Sequence, residues 1–252
     1  MQKVHYIAQI SDTHLFGGKN QKINGANSYD HLRSVINHIV SLHNKPDLIV
    51  VSGDLSQDCT FESYQNLANL LNTSGIRYLV LPGNHDDVTM INKVFDFNWV
   101  KDSVDYSVDF YDWYLYLIDT SYYPEDYGTI SREQFARFEK EIRVNKNKPA
   151  IVFMHHHPLK INSLWLDKMM LREGDEFNRI VKQNPQIKAV LFGHIHQVYE
   201  DNINGIFYGS SPATSYQILP NAEMFAIEKL IPGYRLIELQ EDKISSKIIW
   251  VK

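Results

Sequence analysis

One cysteine, Cys59, stands in 252 residues, so no disulfide closes within this chain. The amino terminus, Met1 to Tyr6, opens without an apolar run long enough for a signal peptide or a membrane span. These absences lead to the expectation of a soluble protein of a reducing cytoplasm, with no membrane partner. Basic charge is not in excess either: 25 Lys and Arg against 30 Asp and Glu leave a formal net charge of −5. Binding to nucleic acid draws on a basic surface that releases counterions from phosphates, so this balance speaks against a general nuclease. No repeat of fixed period, low-complexity tract or linker interrupts the sequence. With 252 residues of which 44% are hydrophobic, the chain is long enough to bury a sizeable core in one domain, residues 1–252.

Apolar runs alternate with stretches of helical period. Val4 to Ile10, Asp47 to Val51 and Ile76 to Leu81 read as strands. Between them Leu32, Val35, Ile36, Ile39 and Val40 form the stripe of one helix, and Tyr64, Leu67, Ala68 and Leu71 that of another. This β-α-β-α-β order implies parallel strands, whose carboxyl ends are where open α/β sheets bind ligands. Asp105 to Thr120 is aromatic and β-prone, with Phe110-Tyr111-Asp112-Trp113 as a hairpin turn. Ser131 and Gln134 fit a capping box that opens a helix running to Val144. Ala150 to Met154 and Ala189 to Phe192 are further strands, Asp175 to Gln183 a helix, and the chain beyond Gly205 is mostly strand-like.

Five short clusters stand where a strand hands over to a loop: Asp12-Thr13-His14, Gly53-Asp54, Gly83-Asn84-His85-Asp86, His155-His156-His157-Pro158 and Gly193-His194-Ile195-His196. Singly, each has a bland explanation as a surface pair, a cap or an Asx turn. Together they supply a ligand set converging on metal ions. Hydrolysis of a phosphate ester needs charge stabilised on attacking and leaving oxygens, which two divalent ions about 3.5–4 Å apart provide. Asp54 follows a buried strand and offers two carboxylate oxygens, which makes it the candidate bridge. Asn84 offers a neutral carbonyl oxygen that keeps its ion electron-poor. Asp12 with His14, and His194 with His196, occupy alternate positions that an extended backbone would turn to one side. His5, His31, His38 and His43 have no metal-like spacing and read as packed or solvated side chains.

This succession of clusters resembles the calcineurin-like metallophosphoesterase superfamily. A closer likeness spans nearly the whole chain. Ile10 to Phe16, Gly53 to Asp58, Trp165-Leu166-Asp167, Gly193 to Gln197 and Pro232-Gly233-Tyr234-Arg235 resemble the bacterial class III 3′,5′-cyclic-AMP phosphodiesterases. The resemblance implies an α/β fold in the form of a four-layer αββα sandwich, two mixed β-sheets flanked by helices. It implies one ion held by Asp12, His14, Asp54 and His196 and a second held by Asp54, Asn84, His155 and His194. Aligned without gaps on the commoner His-His-Pro-Pro form, the histidine triplet gives His155 as the ligand, leaving His156 behind it or facing substrate. His85 is the candidate for contacting the phosphate, stabilising its charge or protonating the leaving oxygen; His14, Asp54, Asn84 and His196 also border the substrate.

The reaction so implied is attack of a metal-bridging hydroxide on 3′,5′-cyclic AMP, giving 5′-AMP. The donor set suits iron, manganese, or alternatively zinc or cobalt. Asn27, Tyr29 and the Ser215-Tyr216 segment are candidates for reading the base. Two departures from the closer family are Ser215, where a Cys is usual, and Cys59, whose position beyond Asp54 suggests sensitivity to oxidants. The same ligands would serve other small diesters such as glycerophosphodiesters or nucleotide pyrophosphates. A non-catalytic scaffold of this fold is disfavoured because the ligand set is complete. The β-prone tail after Pro232 offers an edge strand for a homodimer or closes the second sheet.

Overall fold

A computed structural model describes residues 3–95, 105–229 and 231–252. The amino-terminal half alternates strand and helix as the sequence predicts through β1 (His5–Ile10), α1 (Ser28–Ser41), β2 (Leu48–Ser52), α2 (Phe61–Thr73) and β3 (Tyr78–Leu81), and adds a short helix, α3 (Val88–Val94), that the sequence reading does not include. All five residues of β2 are buried, the near-continuous apolar run of a strand covered on both faces. The helices are amphipathic and capped. Asn27 accepts from the amide of Asp30 to start α1, and Thr60 accepts from that of Ser63 to start α2.

The second half follows as β4 (Asp105–Phe110), β5 (Trp113–Ile118), α4 (Arg132–Val144), β6 (Ala150–Met154), a single 3-10 turn at Leu166–Lys168, α5 (Gly174–Lys182), β7 (Ile187–Phe192), β8 (Glu200–Ile203) and β9 (Ile206–Ser210). The hairpin expected at Phe110 to Trp113 joins β4 and β5, which pair antiparallel with Phe110 opposite Trp113. The capping box is formed at both of its hydrogen bonds. Two short strands, β10 (Gln217–Ile218) and β11 (Ile227–Lys229), pair by themselves, and β12 (Gly233–Gln240) and β13 (Lys243–Trp250) end the chain.

Two mixed sheets result, ordered β13-β12-β1-β2-β3 and β4-β5-β6-β7-β9-β8. The period of two along the strands explains how they stack. Trp113, Leu115 and Leu117 of β5, and Ile151 and Phe153 of β6, join the core of the first sheet and its helices. Tyr114, Tyr116 and Ile118, with Val152 and Met154, face the other way onto Phe135, Phe138 and Ile142 of α4 and Phe177, Ile180 and Val181 of α5. The order is therefore helices, sheet, sheet, helices, the predicted four-layer αββα sandwich. The tail differs from expectation in its partner. It does not close the second sheet but joins the first, where β12 pairs antiparallel with β1, Ile7 opposite Ile237, and β13 is an edge strand, the other position expected for it. Arg235 of β12 is fully buried and links the sheets, donating to the carbonyl of Ser210 at the end of β9 and to Glu200 on β8. Among the described residues no helix is long and apolar enough to cross a membrane.

Candidate metal centre

The carboxyl ends of β1, β2, β3, β6 and β7 carry the five clusters. The backbone does not stay extended there. Asp12, His14, Asp54, His194 and His196 have φ of 53°, 43°, 51°, 70° and 49°, the left-handed region that Asp and His enter more readily than most residues. Such a residue costs about 1–2 kcal/mol in backbone sterics. The convergence expected from alternate positions on an extended strand thus occurs by a different route. Each of these five candidate ligands sits on a sharp turn, and the loops are tied to one another: the amide of Asp12 donates to the carbonyl of Gly53 at 3.0 Å and that of His14 to the carbonyl of Asp54 at 2.9 Å. The amide of His194 in turn donates to the Asp12 carboxylate.

Glycine recurs in three clusters because a side chain there would enter the site. A Cβ on Gly53, whose φ is +91°, would lie 2.2 Å from His155 Nδ1; one on Gly83, 2.2 Å from Asp54 Oδ1; one on Gly193, 1.9 Å from Ser11 Oγ. Real Cβ atoms do not approach so closely, so the motif glycines are spaces for the ligands rather than only turn formers.

The donors gather in two sets. Asp12, His14, Asp54 and His196 offer ligand atoms within 4.8 Å of one another, and so do His155, His156 and His194. Asp54 lies between the sets, with Oδ2 3.5 Å from His14 Nε2 and Oδ1 3.2 Å from His155 Nε2. His155 Nε2 also lies 3.2 Å from Asn84 Oδ1, which adds Asn84 to the second set. Three imidazoles are aimed from behind. The Nδ1–H groups of His155, His196 and His14 donate to the Ser52 carbonyl, the Tyr216 carbonyl and Gln57 Oε1. That fixes the tautomer that leaves each Nε2 lone pair for the centre. His14 Nε2 and His196 Nε2 stand 3.0 Å apart, and His194 Nε2 is buried without a hydrogen-bond partner among the described residues. Orphaned, deprotonated nitrogens beside buried carboxylates are what a divalent ion satisfies, so the residues fit a dinuclear divalent metal site.

The electrostatics agree. Burial holds His14 and His194 far below the ordinary imidazole value, which keeps them neutral as ligands must be. His156 and His157 are held neutral by burial too, the latter at about 3. Burial pushes the Asp54 carboxyl up, but His155 and His85 outweigh it and hold it well below the usual range. For His155, burial works downward and the Asp54 carboxylate overcomes it, raising the imidazole to about 9. A divalent ion competes with that proton. Asp12 is pushed up, mainly by burial.

His85 sits at the exposed mouth with its ring 4.9 Å from that of His14, and its amide donates to Asp54 Oδ1 at 3.0 Å. Of the other two histidines in the triplet, His156 binds Thr120 Oγ1 through Nδ1, and Gly128 makes room for its ring. His157 lies 3.9 Å from Asp167 through Nε2. His31 and His38 hold the Ser215 carbonyl and the Tyr234 hydroxyl, His5 stacks on Tyr111, and His43 bonds Asn44, which are the packing and surface roles expected for them. Cys59 Sγ–H donates to the carbonyl of His85, and burial, with the Asp86 carboxylate, pushes the thiol up. A thiol so held is a poor thiolate, which argues against the oxidant sensitivity that its position suggests. Asn27 is engaged as the cap of α1, while Ser215 donates to the carbonyl of Asp12 and so braces a ligand loop.

Asp86 is a residue whose role the sequence leaves unassigned, though its motif is visible. It accepts from the amides of Leu55, Ser56 and Gly83 and from the Tyr64 hydroxyl, tying the Asn84 loop to the Asp54 loop. Burial, and then the charge of Asp54, raise its carboxyl to about 6. Asp86→Ala is expected to weaken metal binding about 10- to 100-fold, as removal of a group that orients ligands does. Metal titration followed by calorimetry measures it; unchanged affinity would show that the two loops hold their spacing alone.

The comparisons agree with this geometry. Residues 5–198 match the family model described as calcineurin-like phosphoesterase. A 3′,5′-cyclic-nucleotide phosphodiesterase of Nostoc sp. is 34% identical over 94% of this chain and 88% of its own length. A 3′,5′-cyclic adenosine monophosphate phosphodiesterase of Escherichia coli is 30% identical over 94% of this chain and 86% of its own. Among solved structures, a dimetal phosphatase of Danio rerio shares the fold with a TM-score of 0.72 and 11% identity, over 98% of this chain and 99% of that one. With seven donors gathered at the strand ends of an αββα sandwich and a family model that spans them up to His196, the chain belongs to the calcineurin-like phosphoesterase family.

Proposed function

We propose that this chain is a two-metal phosphodiesterase that hydrolyses 3′,5′-cyclic AMP to 5′-AMP in the cytoplasm, in one domain spanning residues 1–252. The observation that carries the reaction class is the placement of Asp54, whose two carboxylate oxygens face two separate donor sets. The substrate rests on the two relatives, whose names give a cyclic nucleotide and cyclic AMP and whose likeness covers 94% of the chain. The single domain is supported by β12, which lies beyond the matched residues 5–198 yet pairs with β1 inside them.

Asp12, His14, Asp54 and His196 would hold one ion, and Asp54, Asn84, His155 and His194 the other. Bound there, such ions polarise the phosphoryl group and acidify a water, and the donor set suits iron or manganese, with zinc or cobalt as alternatives. The chain's own residues do the rest. Asp54 sets the spacing of the two halves. Asn84 adds no negative charge beside an anionic substrate. His85, anchored by its amide to Asp54, presents its imidazole at the mouth, within reach of a phosphate oxygen or the leaving ribose oxygen. The buried imidazoles behind the ligands keep bulk water out of the floor of the site.

His155 and His156 compete for the role of ligand, and their hydrogen bonds favour His155. Its Nε2 faces Asp54 and Asn84 while Nδ1 is spent on Ser52. His155→Ala is expected to lower turnover by about 10³-fold, on the scale of several kcal/mol for a metal's electrophilic contribution, with loss of bound metal. His156→Ala should keep its metal and lose about tenfold at most, as a support does. Metal analysis of both purified variants decides between them, and the reverse pattern would transfer the ligand role to His156.

The substrate is tested by kcat/KM for metal-loaded protein on cyclic AMP, cyclic GMP, a glycerophosphodiester and an aryl phosphodiester. The proposal expects cyclic AMP to lead. A glycerophosphodiester or aryl diester turned over with greater efficiency would overturn it.

A further inference from the structure

An apolar shelf adjoins the metal centre and takes no part in holding it. The segment from Ser215 to Ile218 is fastened to a ligand at both ends of the His196 residue: the His196 ring donates to the carbonyl of Tyr216, and the amide of Ile218 donates to the carbonyl of His196. The Tyr216 ring therefore lies against the site, its centroid 4.6 Å from that of His196 and 6.2 Å from that of His14. Beyond it the loop between β10 and β11 folds back through the hydrogen bond from the Leu219 amide to the Ala226 carbonyl. This return brings Phe225 edge-on to Tyr216 at 6.3 Å and to Trp165 at 5.9 Å, with interplanar angles of 80° and 83°.

Phe225 is 47% exposed despite these two neighbours, and so are the apolar residues beside these rings in the chain: Met224 next to Phe225 at 74%, Leu164 next to Trp165 at 70%, and Leu219, which bonds Ala226, at 44%. Apolar side chains left open to water beside a site cost free energy and mark a place where something docks. Its occupant follows from its position. The shelf begins where the phosphate site ends, at the Tyr216 ring. In a cyclic nucleotide the base begins one ribose ring away from the phosphate, and a base is a flat π-system with few charges. Residues 214–227 contain no Lys or Arg and a single acidic residue, Glu223, so the shelf is fitted to an uncharged ring rather than to a further phosphate.

We infer that Phe225, backed by Tyr216 and Trp165, is the stacking platform for the base of the nucleotide whose phosphate lies on the metal centre. The inference deepens the proposed function and rests on it for the identity of the substrate. Its selectivity comes from the π-face, so it separates nucleotides from base-free diesters. Of the candidates for reading the base, Asn27, Tyr29 and the Ser215-Tyr216 segment, it favours the last and adds the β10–β11 loop that follows it.

The test uses metal-loaded wild-type protein, Phe225→Ala and Phe225→Tyr. Stacking of a base on an aromatic side chain is worth about 1–3 kcal/mol, so Phe225→Ala should lose about tenfold to a hundredfold in kcat/KM on cyclic AMP, with Phe225→Tyr restoring most of it. On a base-free ribose 3′,5′-cyclic phosphate both variants should match the wild type. A second readout needs no turnover: calorimetry should find 5′-AMP bound more tightly than ribose 5-phosphate by wild-type protein, and the two equal in Phe225→Ala. If Phe225→Ala lowers both diesters alike, or neither, or leaves the 5′-AMP preference intact, the platform is wrong. If instead wild-type protein leaves cyclic AMP uncleaved but keeps a 5′-AMP preference that Phe225→Ala abolishes, the proposed reaction fails and the platform stands.

Discussion

Replacing Asp54 by alanine is expected to lower turnover by at least about 10³-fold and to strip metal from both halves of the centre. The size follows from what the side chain does at once. Its Oδ2 faces His14 and its Oδ1 faces His155, one member of each donor set. Several kcal/mol of charge stabilisation depend on ions held at fixed separation, and each 1.36 kcal/mol is a factor of ten. The carboxylate is also the main counter-charge for buried imidazoles, and its loss releases the His155 proton that it holds up to about 9. Elemental analysis of the purified variant, with circular dichroism to confirm the fold, measures both effects. Wild-type turnover with full metal content would remove Asp54 from the bridge.

Gly83→Ala is expected to do nearly as much damage without deleting any donor. The added methyl would stand 2.2 Å from Asp54 Oδ1, 2.4 Å from the Asp54 amide nitrogen and 2.7 Å from His155 Nε2. Backbone on one side and a bonded carboxylate on the other leave it nowhere to go, so the Asn84 loop must lift off the Asp54 loop. That also breaks the bond from the Gly83 amide to Asp86. A loss of metal affinity beyond the roughly 100-fold ceiling of a support residue is the expected result, with destabilisation of about 1–3 kcal/mol from overpacking. Gly75→Ala is the contrast. Its φ of +65° disfavours alanine, yet nothing lies within 4 Å of the new methyl, so stability should fall by about 1–2 kcal/mol while metal binding stays unchanged. Equal metal affinity in the two variants would contradict the view that the motif glycines reserve space for ligands.

These contrasts mark what the sequence makes legible. The candidate ligands are readable because metal chemistry permits few side chains, and because each stands just past an apolar run that reads as a strand; their division between two ions comes from the family resemblance. The alternation of strands and helices is readable for the same reason, down to the Ser131 cap. The way the ligands are aimed is not. Left-handed backbone at Asp12, His14, Asp54, His194 and His196 is imposed by contacts between loops, and a spacing of two residues looks the same on a turn as on a strand. Two of the three acceptors that fix the imidazole tautomers, at Ser52 and Tyr216, are backbone carbonyls, which every residue has. Gln57, the third, carries a signal in its place after the Gly53-Asp54 pair. The partner of the tail is hidden by distance along the chain, since β12 meets a strand more than two hundred residues earlier and local pattern says nothing about which sheet edge is free. The aromatic shelf is hidden likewise: Trp165, Tyr216 and Phe225 come from separate segments that meet only in the fold.

The most direct test of a two-metal cyclic-nucleotide phosphodiesterase is the product formed from cyclic AMP by purified protein, before chelation, after chelation and after manganese or iron is returned. The expected result is 5′-AMP as the product, its disappearance on chelation and its recovery when the metal is restored. Cyclic AMP left intact by fully metal-loaded protein, or cleaved equally well after every ion has been removed, would contradict it.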